Sequence, residues 1–217
     1  MEDETADKAG NKLVDDQLYA FFTARKSGTD ASKGVKRQRL RILGVMCEKH
    51  HEKMEAWKSK TGQGCLDALL TVLESEMEKC RKDSTLNQVH AGCFEALDGF
   101  LQHSHSKAAA KKGFLNSVYV DIAQIVLQAS RDEFSRYQLP VAALKLLARH
   151  ARHLSGELHS TKQGAAAVCG ALLQCCLKTN ADLKRAAADA LDAWLGALRH
   201  SLHDRPEVLK KVIGLFN

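Results

Sequence analysis

Cysteine and histidine offer the first chemistry in this chain. Cys47 and His50 stand three residues apart, as do His90 and Cys93. On a helix each pair would share a face, and two such pairs would complete a tetrahedral zinc site if their helices touched. Against this, Cys47 and Cys93 continue apolar helical stripes, whereas structural zinc ligands usually come from loop knuckles. The sequence predicts core cysteines beside surface histidines, with no metal and no cofactor. Cys175 and Cys176 are adjacent, so on a helix they point apart, and no C-x-x-C motif accompanies them; they too read as core. The other histidines (His51, His103, His105, His150, His153, His159, His200 and His203) fall mostly where helix ends or polar faces are predicted, which suggests solvated side chains. Gly62-Gln63-Gly64 follows no strand and cannot cradle a phosphate. Leu66-Asp67-Ala68-Leu69-Leu70 fits an L-x-x-L-L docking pattern, but its leucines form a core stripe. No nucleophile elbow, P-loop, dinucleotide fingerprint, metalloprotease helix or kinase loop occurs. The chain reads as no enzyme, with no small-molecule substrate.

The strongest charged feature is Lys33, Lys36, Arg37, Arg39 and Arg41, with Arg25-Lys26 just before it. Lys33, Lys36, Arg37 and Arg41 fall on neighbouring rows of one helix side. Lys107, Lys111 and Lys112 make a second cluster, predicted in a loop. Such runs usually only solvate a face. The functional alternative is contact with phosphates of duplex DNA, weak and independent of sequence, because closely spaced cations track a backbone without reading bases.

The elements that must position these side chains are helices. Proline occurs twice, at Pro140 and Pro206, and aromatics are 6% of residues. Apolar residues recur at three- and four-residue intervals. Val14, Leu18, Phe21 and Phe22 predict a first helix, and Val35, Ile42, Leu43 and Met46 a second. Leu66 to Met77 and Leu86 to Leu101 predict the third and fourth. Leu115 to Val126 marks the fifth, Leu144 to Leu154 the sixth (with Pro140 near its start) and Val168 to Cys176 the seventh. The eighth runs from Leu183 through Leu191, Trp194 and Leu198, capped by Thr179-Asn180. A ninth begins at Asp204-Arg205-Pro206. Polar loops are expected at residues 27–32, 58–63, 81–84, 104–112, 131–133 and 155–163. Pairing consecutive helices gives a period of about 45–50 residues, near that of HEAT and armadillo repeats. The fold class is therefore all-α: antiparallel helix pairs, about eight or nine helices, stacked as a HEAT-like α-solenoid. A globular helical bundle is the alternative that periodicity does not separate. Residues 1–10 read as a disordered tail and 11–217 as one repeat segment, whose short apolar ending predicts a piece of a longer solenoid.

Composition bounds the rest. The net charge of +6 is a mild basic bias that favours polyanions without demonstrating them. Seven cysteines, an odd number lying mostly on apolar faces, predict reduced thiols and an intracellular protein. Met1 to Asp7 is acidic with no apolar stretch, which predicts no secretory leader. No apolar run reaches the roughly 18 residues of a membrane span.

Three blocks carry a resemblance. They are Thr179-Asn180-Ala181-Asp182-Leu183-Lys184-Arg185-Ala186-Ala187 with Ala190-Leu191-Asp192-Ala193-Trp194-Leu195; then Arg136-Tyr137, Pro140, Ala142, Leu144-Lys145-Leu146, Ala148 and His150-Ala151; and Ala91-Gly92-Cys93-Phe94 with Leu97 and Leu101. In order and interval they resemble the N-terminal HEAT region of the DNA-dependent protein kinase catalytic subunit, of the phosphatidylinositol 3-kinase-related kinase family. Weaker similarity around residues 18–22 and 66–77 extends the match over most of 11–200. The resemblance implies a nuclear, non-catalytic scaffold in a ring-like solenoid. There it would help cradle double-stranded DNA ends with the Ku heterodimer and other repair proteins, in non-homologous end joining. It also implies a serine/threonine kinase domain far downstream in the whole protein, and the absence here of most of the family's first hundred or so residues. The other reading is a stand-alone HEAT-like adaptor for protein partners.

Overall fold

The structure, a computed structural model, describes residues 30–58, 62, 64–154, 164–201, 210 and 214. The predicted tail, the first helix at Val14–Phe22, the loop at 155–163 and the element after Asp204 lie outside the described residues. Within them are eight α-helices and no strand. They are α1 (Asp30–Lys49), α2 (His51–Ala56), α3 (Cys65–Lys82), α4 (Asn87–Ala110), α5 (Phe114–Ser130), α6 (Gln138–Leu154), α7 (Gly164–Cys176) and α8 (Ala181–Ser201). A 3-10 turn, Ser84–Leu86, leads into α4. Contacts divide the chain into two compact units, Met1–Ala110 and Lys111–Asn217.

In the first unit α1 packs along α4, α3 packs on the same helix, and α2 bridges α1 and α3. The α1–α4 crossing is close because glycines meet there. A Cβ on Gly99 would lie 2.0 Å from the Gly44 carbonyl oxygen, and one on Gly44 would lie 2.5 Å from that of Glu95. Leu40, Leu43 and Cys47, with Gly44, form the buried face of α1. The expected stripe is corrected here: Val35 and Ile42 are 53% and 50% exposed. Counting only large apolar residues misplaces the face, because the seam is set where backbones approach, and glycine allows that.

In the second unit α8 packs against α6 and α7, and α5 against both as well. Trp194 is fully buried and stacks on Tyr119 of α5, with ring centroids 5.5 Å apart. Leu191 is only half-buried. The predicted cap of α8 forms: Asn180 Oδ1 accepts the Leu183 N–H at 2.9 Å.

Three further expectations change. The helix α4 continues to Ala110 across a bend at Ser104 (φ −117°, ψ 28°), so residues 104–110 are not a loop and Lys107 is helical. Ser32 lies inside α1, not in a loop. His150 is buried at a bend within α6 (φ −118°, ψ 19°), and His90 is buried beneath Phe94, so neither is solvated.

Candidate nucleic-acid interface

The basic helix α1 carries six cations against two acids. Its position on α4 decides what each cation faces. Arg37 sits where a Cβ on Gly92 would lie 2.9 Å from its Cα. At that crossing its guanidinium donates to Glu95 through Nη2 at 2.6 Å and Nε at 3.3 Å, a two-pronged pair that is about three-quarters buried on both sides. Lys36 reaches α3, where its Nζ lies 2.5 Å from Glu76. Glu76 is 3% exposed and also accepts from Lys79 at 2.8 Å, so two ammonium groups neutralise one buried carboxylate. These pairs tie α1 to α3 and α4.

The other cations stand differently. Arg41 is exposed; Lys33 and Arg39 are half-buried. Lys33 lies close enough to Asp83 to help lower its carboxyl pKa, after the larger effect of the hydrogen bonds from Thr85. Lys107, half-buried near the end of α4, stands 3.9 Å from both Glu55 and Asp67. Lys112 is exposed and Lys111 half-buried in the turn before α5, where Gly113 takes a left-handed conformation (φ 76°). The structure thus places Lys33, Lys36, Arg37 and Arg41 on one helix. It puts Lys107 in the first unit and Lys111 and Lys112 in the second. The pairing of Arg37 with Glu95 spans 58 positions, and no local spacing in the sequence signals it.

The cysteines form buried neighbours instead of reactive centres. Six are buried and Cys176 is half-buried. Burial, with Cys65 nearby, pushes the Cys47 thiol up to about 12, and burial raises Cys65 to about 11. A hydrogen bond with Cys80, and then burial, raise Cys93 well above its ordinary value. Metal binding needs thiolates, and such environments oppose their formation. Among the described residues no group of three His, Cys, Asp or Glu side chains is placed to hold a metal ion. Nor, among them, is any helix long and apolar enough to cross a membrane.

A second charged region lies within unit 2. Between α6 and α8 runs an open recess of about 380 Å³. Small residues of both helices line it, Ala148, Ala193 and Gly196 among them, together with Arg149, Arg152 and Asp192.

Taken together, these features describe an all-helical protein whose charged surfaces lie on helix faces. The chain belongs to the DNA-PKcs N-terminal family, whose model matches residues 6–216. That family is the non-kinase, N-terminal region of DNA-PKcs. No solved structure matches the chain.

Proposed function

We propose that this chain is a non-catalytic scaffold whose helix pairs belong to a HEAT-like solenoid, and that it supports the binding of DNA ends and the Ku heterodimer during double-strand break repair by non-homologous end joining in the nucleus. Family membership supports the scaffold role. The observation that carries the DNA contact is the basic helix α1, with Arg41 exposed and Lys33 nearby on the same helix. Lys36 and Arg37 are braced by Glu76 and Glu95 and add to the local field with part of their charge neutralised. Lys107 adds a cation to the first unit, and Lys111 and Lys112 offer cations on the second. The contact is sequence-independent, because cations on phosphates carry no base readout.

The test is the salt dependence of affinity for a blunt duplex, measured by fluorescence anisotropy. Lys33→Ala with Arg41→Ala should flatten the slope of log affinity against log salt by about 0.9 per phosphate contact removed, leaving the circular dichroism unchanged. An unchanged slope removes α1 from the contact. Lys36 and Arg37 are poor choices for this variant, since their loss would strand Glu76 and Glu95.

A protein-contact reading, with the chain as an adaptor, has one observation in its favour: Val35, Ile42 and Val45 are each about half exposed on α1.

A further inference from the structure

No described element covers the outward face of α1. Val35, Gln38, Ile42 and Val45 are exposed there, spaced three, four and three residues apart. Among the described residues, Val35, Ile42 and Val45 are three of the four large apolar side chains that are exposed. Single exposed apolar residues are ordinary. A row at this spacing is the seam that one helix presents to another.

The occupant that fits this seam lies just upstream in the same chain. Read backwards, Phe21, Leu18 and Val14 are spaced three and four residues apart, as Val35, Gln38 and Ile42 are. Set antiparallel on α1, they fall opposite Val35, Gln38 and Ile42 in turn, and each row is about 10.5 Å long. Residues 23–29 join the two rows. Seven residues reach at most about 23 Å. The connection must cross roughly 8–10 Å between packed helix axes and rise about 7.5 Å from Asp30 to Val35, so it is long enough. A tether this short gives the segment an effective concentration near the millimolar range, ahead of a second copy or a free partner. Charge agrees with the pairing. Residues 1–22 hold six acidic side chains and two lysines, the reverse of α1 with its six cations and two acids.

We infer that residues 14–22 dock as an antiparallel helix on the outward seam of α1. The pairing brings Asp15 and Asp16 to the level of Arg41 and Arg39. It therefore regulates the site of the proposed DNA-end reading, on which this consequence rests. The docked segment shields α1 from polyanions, and a polyanion binds with its affinity reduced by the undocked fraction.

The experiment puts a benzophenone side chain at position 38, in place of exposed Gln38, in the full chain. Under ultraviolet light it should join, within one chain, to a peptide containing residues 14–22, as read by mass spectrometry. Leu18→Ala/Phe21→Ala should abolish that crosslink and raise affinity for a blunt duplex at low salt about fivefold. The variant is charge-neutral, so a loss of negative charge cannot produce the gain. Should it fail to fold, Ile42→Ser, at an exposed position of the seam, carries the same test. Crosslinks elsewhere in the chain, crosslinks between two copies, or none at all overturn the docking. A crosslink that forms in wild type and is lost in the variants, with duplex affinity unchanged, overturns the shielding. If no form binds duplex but the crosslink forms and is lost as expected, the DNA-end reading fails and the docking stands.

Discussion

Trp194 shows what one residue contributes. Its indole is buried against Tyr119, joining α8 to α5. Trp194→Ala should cost about 3–5 kcal/mol in a urea titration, as large-to-small core changes do. A loss under about 0.5 kcal/mol would mark a surface residue. The cysteines make a different prediction. With thiols raised to about 12 at Cys47 and about 11 at Cys65, the folded chain keeps protons that the unfolded chain releases above the ordinary 9.0. That contribution to stability is whole below pH 9.0 and is lost as pH climbs toward those raised values. Between about pH 8 and about pH 10.5, the urea midpoint of wild type should fall more steeply than that of Cys47→Ala. Parallel curves would mean Cys47 is not held as a protonated thiol. In native protein, Cys176 should be the first of the seven thiols to react with an aromatic disulfide reagent, and the other six should follow only on unfolding. Asp132 works in the opposite sense: the hydrogen bond from Lys178 holds its carboxyl below the usual 3.8, so its small, solvent-screened contribution fades only in stronger acid.

The central element-scale feature is the crossing of α1 and α4. Alanine is the better helix former, so Gly99→Ala would help an isolated helix by roughly 0.5–1 kcal/mol. Here the new methyl meets the Gly44 backbone, which has no flexible end to move aside. The helices must separate, and Gly99→Ala should lower stability by about 1–3 kcal/mol, the range for overpacking. A raised melting temperature would show that the crossing is looser than described. This crossing also explains what was legible in the sequence. The helices α3 to α8 follow from three- and four-residue spacing because large apolar residues recur on their buried faces at that interval, with alanine and cysteine filling in between. The face of α1 was missed because glycines set it. The continuation of α4 past Ser104 was missed because His103, Ser104, His105 and Ser106 look like a loop, yet Ser104 and Ala108 are buried. At the candidate site, the helix carrying the cations was legible. Their counter-ions Glu76 and Glu95 were not, since both are distant in sequence and are brought near only by packing.

At the scale of the whole molecule, family membership and the charged helix faces define the account. The chain is part of the DNA-PKcs N-terminal family, and its described residues are helical in both units. A scaffold of this kind binds through surfaces and not through a reaction centre, so DNA affinity of the isolated chain should be weak and steeply salt-dependent. The most direct measurement is sedimentation of the full chain with purified Ku on linear duplex and on closed circular DNA of the same sequence. The account predicts a ternary complex on linear duplex with Ku present, and markedly less co-sedimentation when the ends are closed or Ku is left out. Equal co-sedimentation under all three conditions, or none with Ku-loaded ends, would contradict it.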